Sequence, residues 1–178
     1  MQKDFQPELS KEIKELYKTI KAEYPYLEIS IWSTEWIIPW LLHIPGNHET
    51  IIEVEKGAED NVFYYLNESN DNVFVHPTSE LLSKYAKSSI PLIIIRNLIT
   101  DAPLQIVQSV QIPSLEKLVV DLIVGDEILS KFQGRDLESI LENVFGTYTI
   151  NMDKLLRYAG RKRKKEFVHN YITTHQSS

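Results

Sequence analysis

No cysteine occurs among the 178 residues, which excludes disulfide bonds and thiolate metal sites. Glycine is scarce as well. The six glycines are scattered at positions 46, 57, 125, 134, 146 and 160, so neither a phosphate-cradling P-loop nor a dinucleotide fingerprint can be written. The G-x-S-x-G turn that exposes a hydrolase nucleophile is missing too. The longest apolar stretch, near Trp36 to Ile44, is interrupted by Pro39 and His43 and stops at Pro45-Gly46. That falls well short of the ~20 residues a membrane span requires. With no charged leader followed by an apolar core, the expected setting is cytoplasmic.

What is present is a hydrophobic content of 43%, enough for a substantial core at a length that favours one domain. Charge is distributed evenly except at one place. Arg161-Lys162-Arg163-Lys164-Lys165 follows Lys154 and Arg157, with no acidic residue between Lys154 and Lys165. Removing those seven positive charges from the net charge of -6 leaves -13 for everything else. An anionic partner would be met at this segment and repelled elsewhere.

Periodicity outlines the elements. Leu9, Ile13, Leu16, Tyr17 and Ile20 recur at helical spacing between Glu8 and Glu23, and Pro25 stops that helix. Leu27, Ile29 and Ile31 alternate with polar residues as in a strand, and Ser33 or Thr34 can cap a short helix carrying Trp36, Trp40 and Leu41. Further strands are expected at Thr50 to Lys56 and Asn72 to Val75, with a helix from Ala58 to Leu66 between them and another from Thr78 or Ser79 to Lys87. Pro91 to Ile95 is apolar at successive positions, which predicts an inner strand covered on both faces. Leu104 to Ile112 permits one or two more strands, and helices follow at Ser114 to Val124, Asp136 to Phe145 and from Asn151 onward. The fold class is a single mixed α/β domain with a central sheet of about four to six strands, an N-terminal helix and a helical C-terminal third. Its organisation is an amphipathic helix over residues 1–25 and an α/β domain over 26–178.

Three groups of side chains invite a chemical reading. Glu53 and Glu55 share one face of the predicted strand, with Lys56 on the other. Paired carboxylates could hold metal ions in a divergent phosphodiester enzyme of the nuclease or nucleotidyltransferase type. The glycine-serine turn of nucleotidyltransferases is missing, and a solvated or edge face of a half-buried strand is the simpler account of the pair. His43 and His48, with Glu49 and Glu53, offer imidazole and carboxylate ligands but match no ligand spacing. Neither a metal nor another cofactor is expected. Trp32, Trp36 and Trp40 read as core packing, because the first belongs to a strand and Pro39 limits the helix of the others.

The basic segment carries a geometric constraint. Met152, Leu155, Leu156 and Ala159 form an apolar stripe, and at about 100° per residue an unbroken helix would drive Arg163 into its middle. A break at Gly160 is therefore expected. It would lift Arg161 to Lys165 onto an exposed corner before Phe167, Val168, Tyr171 and Ile172 rejoin the core.

Three stretches, WIIPWLLHIPGNHETIIEVE from Trp36, PLIIIRNLITDAPLQIVQSVQIPSLEKLVVDL from Pro91 and YTINMDKLLRYAGRK from Tyr148, resemble the C-terminal domain of AbiEi-type antitoxins. They are more similar still to an uncharacterised, mostly bacterial family of the same build. Shared features include a serine-initiated helix with a glutamate and an aspartate, here Ser114, Glu116 and Asp121, and a final helix with asparagine, leucine and arginine. The resemblance implies a type IV toxin–antitoxin or phage-defence context, in which the antitoxin opposes a nucleotidyltransferase-like toxin. It also implies an N-terminal winged helix that represses the operon, whereas residues 1–25 hold one amphipathic helix. No catalytic residue carries over. The expected function is thus a non-catalytic antitoxin-like or regulatory interaction domain, with no membrane partner. Lys154, Arg157, Arg161, Lys162, Arg163, Lys164 and Lys165 are its expected contact with nucleic acid or an acidic partner such as the toxin.

Overall fold

Alternating and unbroken apolar runs build one mixed sheet. The computed structural model describes residues 1–176, and within them four strands pair in the order β1-β2-β4-β3. These are β1 (Ile29–Ser33), β2 (Glu49–Val54), β3 (Val73–Val75) and β4 (Leu92–Asn97). β1 runs antiparallel to β2, and β4 is parallel to both of its neighbours. The Pro91 to Ile95 run thus reaches an inner position, as its continuous hydrophobicity requires. A separate hairpin joins β5 (Leu104–Val107) to β6 (Val110–Pro113) through Gln108 and Ser109, both at positive φ. Two-residue hairpin loops favour that backbone because its twist matches the strands. Gln111 of the hairpin donates its side-chain amide to the Ile29 carbonyl at 2.9 Å. A carbonyl of a strand with a ladder partner on one side only is satisfied in this way.

Alternate sheet residues face two cores. Ile29, Ile31, Ile52, Val54, Ile93 and Ile95 meet Ile13 and Ile20 of α1 (Lys11–Glu23) and Val62 and Leu66 of α2 (Glu59–Asn67). Trp32, Ile51 and Ile94 meet a helical layer of α4 (Leu115–Val124), α5 (Arg135–Thr147), α6 (Met152–Arg161) and α7 (Lys165–Gln176). The result is a three-layer α/β/α domain. Between β3 and β4, α3 (Ser79–Tyr85) contributes no buried residue. The segment expected as a short helix after β1 is a 3-10 helix, Thr34–Trp40, which admits Pro39 more readily than an α-helix would. Trp32 and Trp40 are buried in the helical-side core. No helix of the described residues is long and apolar enough to cross a membrane.

The pivot of the helical layer is α4, in which every residue from Leu115 to Ile123 is buried. Ser114 caps its start by accepting from the Lys117 N–H, and Gly125 ends it at φ 64°, donating its N–H to the Asp121 carbonyl. Gln133 donates to the Leu122 carbonyl at 2.9 Å, and its side chain lies 2.5 Å from where a Cβ on residue 125 would stand. Gly125→Ala would impose left-handed strain of about 1 kcal/mol and displace a hydrogen bond of similar net worth. A loss of about 2 kcal/mol in urea unfolding, with an unchanged m-value, is the expected result.

Candidate functional site

Asn151 starts α6: its side chain accepts from the Lys154 N–H at 3.0 Å, and its own N–H donates to the Glu116 carboxylate of α4 at 2.9 Å. Leu155, Tyr158 and Ala159 face the core. Lys154, Arg157 and Arg161 fall within about 60° of one another on the far side of the helix. The break comes later than the sequence suggests. Gly160 remains helical, Arg161 is the last helical residue, and Arg163 adopts φ 59°. The Lys164 N–H bonds the Ala159 carbonyl at 2.8 Å and the Arg163 N–H bonds the Gly160 carbonyl at 3.0 Å, the paired bonds of a Schellman turn. What forces the turn is the stripe that an onward helix would have filled with Arg163; glycine at 160 is not needed to leave the helix. α7 then begins at Lys165.

The seven cations of this segment divide into two sets. Arg161 folds back, its Nη2 2.6 Å from Asp101 and its Nε 3.2 Å from the Thr100 carbonyl. Lys162 reaches inward to Asp121 Oδ1 at 2.8 Å, with its side chain 14% exposed. The expectation that residues 161 to 165 all stand clear is corrected for Lys162, which Asp121 draws inward; Arg161 remains exposed, paired at the surface with Asp101. Lys154, Arg157, Arg163, Lys164 and Lys165 are exposed and form no ion pair among the described residues.

Beneath the corner lies a buried ion-pair network. Lys117 of α4 is completely buried and places Nζ 2.7 and 2.9 Å from the two Glu53 oxygens and 2.7 Å from Asp121 Oδ2. Arg96 of β4 lies 3.2 Å from Glu53, 3.4 Å from Asp121, and also pairs with Asp126. The Tyr158 hydroxyl donates to Asp121 Oδ1 at 2.8 Å. Three cations, Arg96, Lys117 and Lys162, thereby face three carboxylates, Glu53, Asp121 and Asp126. Burial acts to raise the Asp121 carboxyl, but Lys117, Lys162 and Arg96 outweigh it and hold the group well below the ordinary carboxylate range. Burial and the neighbouring Asp121 push the Tyr158 phenol far above its usual range, so the hydroxyl stays protonated and donating. Arg96 is shifted upward because Glu53, Asp121 and Asp126 overcome its desolvation.

This network also settles the geometry of the carboxylate pair. β2 ends at Val54, so Glu53 and Glu55 do not project side by side. Glu53 is enclosed by Lys117 and Arg96, whereas Glu55 is exposed and accepts from the Glu28 N–H at 2.6 Å. The histidines are separated as well. His43 lies 3.4 Å from Asp136 and His48 3.9 Å from Glu35, both exposed, while Glu49 is buried against Thr34 and Lys131. Among the described residues, no group of three or more histidines and carboxylates is placed to hold a metal ion. Sequence reasoning missed the roles of Arg96, Lys117 and Tyr158. The available signal was Lys117 and Asp121, opposite charges four apart on a helix that is apolar at Leu115, Leu118, Val119, Val120, Leu122 and Ile123.

Removing one member of a buried pair leaves its partners uncompensated. Asp121→Asn is expected to cost about 3–5 kcal/mol, read by urea unfolding at neutral pH. Because the folded Asp121 carboxyl lies below its unfolded value of about 3.9, its contribution is complete above roughly pH 5 and declines as pH falls through and below the carboxylate range. Acid titration of wild-type stability should therefore show a steeper fall below about pH 4 than the variant shows. Equal slopes would mean that Asp121 is not the carboxylate responsible.

No protein of curated function matches this sequence. The sequence matches the model of the family described as "Family of unknown function (DUF6577)" over residues 1–178. A chain matched along its whole length belongs to that family, and this protein is a member of it.

Proposed function

We propose that the protein is a cytoplasmic, non-catalytic interaction domain of the AbiEi-like antitoxin kind, serving a toxin–antitoxin or phage-defence system. It meets its anionic partner, a nucleic acid or an acidic face of a nucleotidyltransferase-like toxin, at the corner between α6 and α7. The observation that carries this reading is the division of the cations. Arg161 is paired with Asp101 at the surface and Lys162 reaches inward to Asp121, while Lys154, Arg157, Arg163, Lys164 and Lys165 face solvent without an ion pair among the described residues. Holding cations on a fixed backbone next to one another raises the local potential, against a remainder of the molecule that is strongly acidic. The alternative of a phosphodiester enzyme finds less support, since both Glu53 oxygens are already engaged by Lys117 and Glu55 stands apart. Glu116, Asp121 and Asn151, on which the antitoxin resemblance partly rests, all serve to seat α6 against α4.

Replacing Lys154, Arg157, Arg163, Lys164 and Lys165 by glutamate leaves the Arg161–Asp101 and Lys162–Asp121 pairs intact and reverses the unpaired charge. Wild-type protein is expected to be retained on immobilised heparin and to elute with salt, and the reversed variant to flow through, with both melting at similar temperatures. For a bound polyanion, the slope of log K against log salt should shrink by about one for each phosphate contact removed. Wild-type protein that ignores heparin, or a variant retained equally well, would overturn the proposal.

A further inference from the structure

Beyond the turn, α7 carries a row of rings. Phe167, Tyr171 and His175 recur every four residues and therefore lie along one side of the helix. The Phe167 and Tyr171 centroids are 6.5 Å apart with their planes inclined by 40°, and His175 stacks on Tyr171 at 4.0 Å and 17°. The helix buries itself through Val168 and Ile172, so the core does not require Phe167. Phe167 is 52% exposed as a residue, and Lys164 Nζ lies 6.0 Å from its ring centroid. Arg163 immediately precedes Lys164 in the turn, and Lys165 follows. A large aromatic left open to water beside cations is the combination that stacks a base while neutralising its phosphate.

We propose that Phe167 is a stacking platform for a base of single-stranded nucleic acid, whose backbone is held by the cations of the turn. The inference rests on the cationic corner being a contact surface, and it selects one class of anion. In a duplex the faces of the bases are covered by their neighbours, so an exposed ring finds none to stack on. In an acidic protein, carboxylates would satisfy the lysines but Phe167 would need a separate apolar contact, whereas a nucleotide supplies base and phosphate together. The row also has a limit. Glu138 of α5 lies 3.7 Å from His175, and burial, with Glu138 adding to it, raises the Tyr171 phenol. A phosphate is thus repelled at the far end of the row. One base at Phe167, with Tyr171 backing it, is the extent of the platform.

The test is fluorescence anisotropy with labelled oligothymidylate and oligouridylate of about twelve nucleotides, a length suited to one small binding surface, and with a duplex of equal length. Wild-type protein should bind the single strands more tightly than the duplex. Phe167→Ala should weaken single-strand binding about 5- to 100-fold, towards the duplex value, while leaving heparin retention and thermal stability unchanged; Phe167→Trp should restore binding. Equal affinity for the two single strands identifies the shared base and phosphate chemistry, and a preference between them reads the ribose 2′-hydroxyl or the thymine methyl, which oligodeoxyuridylate separates. If duplex binds as well as single strands, if Phe167→Ala binds like wild type, or if polyglutamate competes as effectively as oligothymidylate, the platform is refuted although the cationic corner stands. If neither heparin nor any oligonucleotide binds, both readings fall together.

Discussion

The fold depends on keeping charge balanced where water does not reach. Asp121 sits on the most deeply buried helix of the molecule, with one carboxylate oxygen directed at Lys117 and Arg96 and the other at Tyr158 and Lys162. These partners come from β4, α4, α6 and the end of α6, while Lys117 extends the network to Glu53 of β2. Two sheet strands and two helices of the opposing layer are therefore fixed relative to one another by directional contacts, in addition to apolar packing. Apolar packing alone tolerates sliding far better than hydrogen-bonded charges do. A hydrophobic replacement of the whole set could be as stable, but it would define the placement of α6 less sharply.

That placement determines what the surface can offer. The amphipathic pattern of α6 directs Leu155, Tyr158 and Ala159 inward and Lys154 and Arg157 outward. Glu116 holds the first turn of α6 through the Asn151 N–H, and Asp121 holds the residue that caps its last turn. Both anchors come from α4, so the cationic face inherits its rigidity from a helix with almost no exposed surface of its own. Long cationic side chains lose entropy when they bind, and a fixed backbone limits the loss to the side chains themselves.

How much of this could be read in advance varied with the range of the interaction. The inner strand at Pro91 to Ile95 and the helix starting at Ser114 were legible, because each is written in neighbouring residues. The carboxylate pair was misplaced by the bound of one strand: β2 stops at Val54, and Glu55 turns to meet Glu28 instead of extending the alternation. The network was not legible as a network. Glu53 is 64 residues from Lys117 and 43 from Arg96, and nothing local distinguishes a glutamate bound for the interior from one bound for water. The need for a break before Arg163 followed from helical geometry alone, but its location did not. A left-handed arginine satisfied the same constraint that a glycine three residues earlier was expected to meet.

That arginine places two demands on one position. A backbone at φ 59° suits glycine, and exchanging Arg163 for glycine would relieve steric crowding at the price of a cationic group. Relaxed geometry and local potential are thus in opposition there, and no single natural amino acid satisfies both. Asparagine, the usual compromise in such turns, would ease the backbone yet be electrically silent. The bend between the last two helices is accordingly poised, somewhat less comfortable than it could be and more positive than comfort would allow.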